Sequence, residues 1–461
     1  MGSSIPGVLK RASKLVTPSK SESIHLKEVV EIVNSLLAKV FEGLDDTEKP
    51  TIVLGGSYAK GTWLKGTHDI DFFLQYPKDY PREKLETRAV ENAKRAVKKY
   101  KINMRYAEHP YVETFVDGVR VNLVPCYKVE QGAWQSAADR SPYHAEYIRE
   151  KFDDHLRNEA RLLKRFAKAI GVYGAEVRIQ GFSGYVCEVL VLKFGSFEKV
   201  LENLASIRQR EVISVEEYDK SLIALFKSPL IILDPVDTTR NLGAAISQRN
   251  IAKLALESRR FLARPSNSYL SDKRPPRISP QTKTLLERTI VVKFTNKKRS
   301  PDILWGQLRK SSNALAEKIG FLGFQVLRSG SASDEETNSA LLFLLQETTI
   351  GRVQLRNGPE YFRKQEVVDF AKKNKGRSIL TFIGEDGRLR SVRMREVRST
   401  VALDAIRTLI SNRIKSLGIS KEVQGEIRQS LVVETGTKAM QRFKRSGPWL
   451  TKELLSITVE E

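Results

Sequence analysis

Apolar positions recur every three or four residues between 21 and 44, with Leu26, Val29, Val33 and Leu37 on one stripe, a spacing that predicts an amphipathic helix. Ile52-Val53-Leu54 is short and fully apolar and predicts a buried strand, which Gly55-Gly56 then turn sharply. A short helix headed by Ser57 is expected next. Asp69 and Asp71 open the run Phe72-Phe73-Leu74, so they belong to a strand whose period of two sends both carboxylates to one face while Ile70 packs behind. Past the turn signal Asp117-Gly118, Val119, Val121 and Leu123 alternate with Arg120 and Asn122, predicting a strand with Asn122 on its polar face.

Farther along, residues 146–263 read as helical, interrupted by a strand at 229–233; the segment Arg157 to Lys168 is a helix of mixed charge. Residues 264–300, rich in Pro, Ser, Lys and Arg, mark a boundary. Beyond it a strand is expected at Thr289–Phe294, a helix at 303–319, strands at Phe321–Leu327 and Leu341–Gln346, and a helix at 360–374. Ile379–Phe382 and Leu389–Met394 predict a hairpin turning at Asp386-Gly387, and 400–431 returns to helix. A chain of 461 residues is too long for one core. It is expected to form an α+β multidomain protein: a head at 1–145, a helical central domain at 146–263, a mixed α/β domain at 264–399 and a helical tail at 400–461. No internal repeat is visible.

The spacing of Gly55-Gly56-Ser57 from Asp69 and Asp71 carries chemistry. Two side-by-side carboxylates repel unless a cation sits between them, and magnesium takes oxygen ligands, usually one or two carboxylates together with substrate phosphates. The turn at Gly56 and Ser57, with backbone N–H groups at the start of a helix and Lys60 and Lys65 nearby, offers an anion cradle suited to a triphosphate. Either feature alone would more often be an ordinary loop or a solvated strand end. Together, in this order, they suggest metal-dependent nucleotidyl transfer.

These residues resemble the pattern of the DNA polymerase beta-like nucleotidyltransferase superfamily. Further blocks narrow the resemblance: Gly-Ser-Tyr-Ala-Lys-Gly-Thr-Trp-Leu-Lys-Gly (56–66), Arg-Tyr-Ala-Glu-His-Pro-Tyr-Val (105–112), Val-Pro-Cys-Tyr-Lys (124–128), Arg-Leu-Leu-Lys (161–164), Gly-Val-Tyr-Gly-Ala-Glu (171–176), Gly-Phe-Ser-Gly-Tyr-Val-Cys-Glu (181–188) and Asp-Pro-Val-Asp with Arg-Asn (234–241). In this order they are similar to the class I, archaeal-type CCA-adding enzymes, tRNA nucleotidyltransferases that build the 3′ CCA end without a nucleic-acid template. The likeness is dense from Gly55 to Asn241 and thinner afterwards, where Arg-Asn-Gly-Pro-Glu (356–360) is the best match. It implies a polymerase beta-like head, a tail packed back on the central domain, two magnesium ions, and CTP and ATP as substrates.

The resemblance also implies a third carboxylate just before the apolar residue preceding Val-Pro-Cys-Tyr. That position is Asn122. An amide keeps the shape without the charge; its carbonyl can touch a metal but cannot act as a base. With Asp69, Asp71 and a triphosphate still holding one ion, nucleotide binding is expected to survive while chemistry slows by roughly 10²-fold or more. Three explanations stay open: an isosteric replacement made to trap a complex, a natural degenerate member, or a variant in which Glu108 or Glu113 supplies the charge.

The same resemblance assigns the triphosphate to Gly56, Ser57, Lys60, Lys164 and Tyr173, and the incoming base to Arg240, in the cleft between head and central domain. His109 is peripheral to that site. Plain alternatives stand beside these: Lys164 on a solvated helix face, Tyr173 as helix packing, Arg240 as a surface arginine paired with Asp237.

Charge agrees with the substrate class. Lys and Arg number 78 against 55 Asp and Glu, giving +23 and a pI near 9.8, which suits a polyanion such as tRNA. A membrane is the competing partner, but no apolar stretch is long enough to span one, no signal peptide is visible, and Pro6 breaks the myristoylation pattern. Only Cys126 and Cys187 occur, both in apolar surroundings, which argues for a reducing, cytoplasmic compartment. Basic residues with interleaved aromatics at Lys438–Trp449 are a candidate RNA contact. The expected RNA footprint is the acceptor stem and top half of tRNA; the oligomeric state is open, a homodimer included. The rivals are another RNA nucleotidyltransferase such as a poly(A) polymerase-like enzyme, and a non-catalytic tRNA-binding relative.

Overall fold

The computed structural model describes residues 4–106, 108–271, 278–395, 399–443 and 447–459. The chain divides into two compact units, Met1–Lys273 and Arg274–Glu461. The first holds the head and the central domain. The predicted amphipathic helix runs over Lys20–Phe41 and opens on a reciprocal cap: the Ser19 hydroxyl accepts from the Glu22 backbone while Glu22 accepts from the Ser19 backbone at 2.7 Å. Such a cap stabilises a helix by about 1 kcal/mol. Glu22 also accepts from the backbone N–H of Gly66 at 2.8 Å, fastening the loop that leads to Asp69.

The head sheet comprises β1 (Thr51–Gly55), β2 (Asp69–Pro77), β3 (Ile102–Tyr106), β4 (Pro110–Val116) and β5 (Val119–Lys128), in the order β1-β2-β5-β4-β3. β2 and β5 are parallel and every other pair is antiparallel. Ile70, Phe72, Leu74 and Tyr76 point to one side of β2 and are fully buried with Leu26, Val29, Val33 and Leu37 of the helix and Val121 and Leu123 of β5. Each such side chain contributes about 1.5–3 kcal/mol. The alternation that buries these residues leaves Asp69, Asp71 and Asn122 on the opposite face.

The central domain packs the helices Asp154–Ala169, Gly184–Phe194, Phe197–Ala205 and Gln248–Ala263 around a core that includes Leu163, Phe166, Leu190, Phe197 and Phe261. A small sheet, β6 (Glu211–Ile213), β7 (Leu230–Asp234) and β8 (Asp237–Asn241), lies in this domain, with β7 and β8 antiparallel. Cys126 and Cys187 are buried free thiols.

The second unit contains a four-stranded sheet, β10-β11-β9-β15, made from β9 (Thr289–Thr295), β10 (Val326–Ser333), β11 (Asn338–Leu345) and β15 (Val432–Thr435), with the helix Pro301–Leu322. A three-stranded sheet, β12-β14-β13, is built from β12 (Val353–Glu360), β13 (Ser378–Ile383) and β14 (Arg388–Met394), with the helix Lys364–Asn374. Three expectations change. The helix continues to Leu322 and ends on Gly323 at φ +101°, so the strand expected from Phe321 begins only at Val326. Residues 353–360 form a strand, and the helix expected from 360 starts at Lys364. The tail expected to be helical contributes a strand, β15, beside β9, while Leu450 and Leu454 share a core with Val291 and Leu342. Part of the boundary segment, residues 272–277, lies outside the described residues.

Candidate active site

The face that carries Asp69, Asp71 and Asn122 is set by strand register. Asp71 is paired with Gly55 on one side and Asn122 on the other, and Asn122 is paired in turn with Glu113. Gly56 has φ +62°, and a Cβ there would lie 1.9 Å from Asp71 Oδ2, so only glycine lets the turn close over this carboxylate. Asn122 Nδ2 donates to Asp71 Oδ1 at 2.8 Å, while Asn122 Oδ1 is buried without a hydrogen-bond partner among the described residues. Burial and the neighbouring Asp69 raise the Asp71 pKa above the ordinary aspartate value, against the lowering effect of the Asn122 amide. Asp69 is gripped by Arg120, whose Nε and Nη2 donate to its two oxygens at 2.8 and 2.6 Å. The sequence placed Arg120 on this face but gave no sign of that pairing, which depends on the parallel register of β2 and β5.

The two acids that could replace a charge at position 122 are already engaged. Glu113 Oε1 accepts from Arg105 Nε and Nη2 at 3.1 and 3.0 Å and from Asn103. Glu108 accepts from the Ala137 backbone at 2.6 Å. His109 is buried, with Nε2 at 2.5 Å from the Pro125 carbonyl, a contact that braces β4 against β5.

Lys60 and Lys164 converge on a residue the sequence reading overlooked. Glu188 is fully buried on the helix Gly184–Phe194; its Oε2 accepts from Lys60 Nζ and its Oε1 from Lys164 Nζ, both at 2.6 Å. Lys164 Nζ also donates to the Thr62 carbonyl at 3.1 Å and the Thr62 hydroxyl at 2.9 Å, so its three protons are all engaged. Lys164 is 1% exposed, which removes the solvated-face alternative. Burial alone would push Glu188 up, but Lys164 and Lys60 outweigh it and hold its pKa at about 2. For Lys164, burial dominates and lowers its pKa. Tyr173 stands beside this cluster: a Cβ at Gly184 would lie 3.0 Å from Tyr173 Oη and 3.6 Å from Lys164 Nζ. Burial raises the Tyr173 pKa well above normal.

Arg240, on β8, bonds through Nη1 to Asp234 Oδ2 at 3.2 Å. The alternative partner, Asp237, is taken by Arg140 at 2.9 Å.

Family comparisons follow this geometry along the chain. Residues 37–152 match the nucleotidyltransferase domain, 158–271 the second domain of tRNA nucleotidyltransferases and 287–436 the C-terminal domain of CCA-adding enzymes. The CCA-adding enzyme of Saccharolobus shibatae is 35% identical over 439 residues, covering 95% of this chain and 98% of its own. This chain belongs to the CCA-adding enzymes. That of Sulfurisphaera tokodaii is 36% identical, covering 84% of this chain and 87% of its own. A structure of the Cid1 poly(U) polymerase has a TM-score of 0.47 at 13% identity, covering 57% of this chain and 98% of that one.

Nucleotidyltransferases use divalent cations with nucleoside triphosphates, and the residues of this CCA-adding enzyme fit such ions. No group of three or more histidine, cysteine or carboxylate side chains converges among the described residues. Asp69 and Asp71 still share a face, and the orphaned Asn122 Oδ1 beside them is a ready oxygen donor. Two carboxylates, an amide oxygen and substrate phosphates form a suitable set for magnesium. No helix among the described residues is long and apolar enough to cross a membrane. In the second unit Trp449 packs against the core, while Lys438 and Arg442 are exposed; residues 444–446 of the candidate RNA contact lie outside the described residues.

Proposed function

We propose that this chain adds C, C and A to the 3′ end of tRNA, using CTP and ATP without a nucleic-acid template and releasing pyrophosphate. The observation that carries this reading is the register that sets Asp71 between the Gly55-Gly56 turn and Asn122, with Asp69 on the same face. Asp69 and Asp71 hold magnesium, two ions in the full site, with Asn122 contributing its carbonyl oxygen. Bound cations would supply charge neutralisation at the triphosphate and activation of the primer hydroxyl.

The chain's own groups do the rest. The backbone turn at Gly56 and Ser57 bounds the triphosphate site next to Asp71. Lys60 and Lys164 reach phosphate oxygens by exchanging a bond to Glu188 or Thr62, with Tyr173 alongside. Arg240 presents donors to the base, since a planar guanidinium can meet acceptors on cytosine and adenine alike. The formal charge of +23 supports binding to the acceptor stem and top half of tRNA through backbone contacts, in a cytoplasmic setting.

Incorporation of labelled CTP and ATP on tRNA ending before CCA, compared with an unstructured oligonucleotide, tests the proposal. Strong preference for the tRNA is expected. Equal use of both substrates would favour a poly(A) polymerase-like activity instead.

A further inference from the structure

Asp234 ends β7 and is completely buried. A buried aspartate after a strand often does no more than brace its own turn, and Oδ1 fits that description: it accepts from the Val236 backbone and the Tyr185 hydroxyl, each at 3.2 Å. Oδ2 has a different role. It accepts from His144 Nε2 at 2.8 Å, on the helix Arg140–Lys151, and from Arg240 Nη1 at 3.2 Å, on β8. His144 is itself stacked on the Tyr185 ring, with centroids 3.9 Å apart.

A carboxylate out of water is strongly unfavourable unless charge and hydrogen bonds compensate it. Burial lowers the His144 pKa more than Asp234 raises it, which leaves Arg240 as the cation bonded to Asp234. Because guanidinium is rigid and planar, fixing Nη1 also fixes the directions of Nε and Nη2. Those two nitrogens have no protein partner among the described residues. Arg240 remains partly exposed, at 39% of its side chain, and lines a cavity of about 500 Å³ with Arg140, Phe226, Asp237, Thr239 and Asn241.

We propose that Asp234 is a positioning residue for base selection: by anchoring Nη1 of Arg240 it decides which guanidinium edge the incoming base meets. This rests on the reading that Arg240 contacts the base. Exchanging Asp234 for Asn puts an amide where two donors converge, and it releases the fork while changing little volume.

The test measures KM, kcat and the preference for CTP over UTP and ATP over GTP on tRNA ending before CCA. The variants are Asp234→Asn, Arg240→Gln, the double variant and Arg240→Lys. Asp234→Asn is expected to raise KM for CTP and ATP and to reduce base preference by about tenfold, the scale of one net hydrogen bond. The double variant should be no worse than Arg240→Gln alone. Arg240→Lys keeps the charge opposite Asp234 but lacks the fork, so it should fold normally and lose the same preference. If Asp234→Asn does not fold, Arg240→Lys decides alone, and retained preference would overturn the proposal. A fall in the active fraction of Asp234→Asn with base preference intact would mean that Asp234 only braces its turn. If Arg240→Gln itself leaves KM and preference unchanged, the base-contact reading fails; if Arg240→Gln impairs both and Asp234→Asn neither, only the positioning role fails.

Discussion

Replacing Glu188 with Gln should destabilise the first unit severely. Both lysine ammonium groups approach Glu188 to 2.6 Å, and the exposures of Lys60, Lys164 and Glu188 side chains are 8%, 1% and 0%. With an effective dielectric constant near 20 and charges about 4 Å apart, each pair gains about 4 kcal/mol, against several kcal/mol of desolvation per ion. The intact cluster is therefore close to neutral in net energy. Removing only the carboxylate leaves two buried cations uncompensated, and the expected loss is about 3–5 kcal/mol. The acid side gives a second signature. Glu188 is held at about 2, below its ordinary value of 4.5, so its contribution is fully present above pH 4.5 and fades as pH falls toward 2. The variant should lack that acid limb. Urea unfolding, followed by hydrogen exchange in the helix Gly184–Phe194, reads this unit locally. A loss below about 1 kcal/mol at neutral pH, or an unchanged acid limb in the variant, would refute the argument, since one broken buried pair should exceed both.

Asn122→Asp restores a carboxylate opposite Asp71 and should raise single-turnover incorporation of CMP and AMP by about 10²-fold. Gly56→Ala forces a Cβ to within 1.9 Å of Asp71 Oδ2 at φ +62°; thermal unfolding should show a loss of about 1–3 kcal/mol, and incorporation should fall with it. Arg120→Gln frees Asp69 from a part-exposed ion pair, whose exposures are 44% and 28%. Because such a pair is worth at most about 1 kcal/mol, the divalent-cation concentration for half-maximal incorporation should drop by about two- to fivefold in a metal titration.

The local alternation of side chains made much of this site readable. Asp69 and Asp71 lie where a period of two beside Phe72 and Leu74 put them, and Asn122 on β5 pairs with Asp71 on β2. Long-range pairing was not readable. Arg120 looked like any outward residue, because its partner is 51 positions away and depends on a parallel register. Glu188 could have been noticed as the single charge in Val-Cys-Glu-Val-Leu-Val-Leu, an apolar helix in which a carboxylate needs a buried counter-ion. In the second unit, β12 escaped notice because Val353 and Leu355 are exposed. Hydrophobic spacing also could not indicate that residues 432–435 would join β9 from the far end of the sequence.

The mass of the extended tRNA tests the central claim most directly. With tRNA ending before CCA, CTP, ATP and magnesium, the account predicts addition of two C residues and one A and then arrest. It also predicts that Asp69→Asn and Asp71→Asn abolish the addition and that Asn122→Asp accelerates it. A homopolymeric tail, or no extension even by the Asn122→Asp chain, would contradict it.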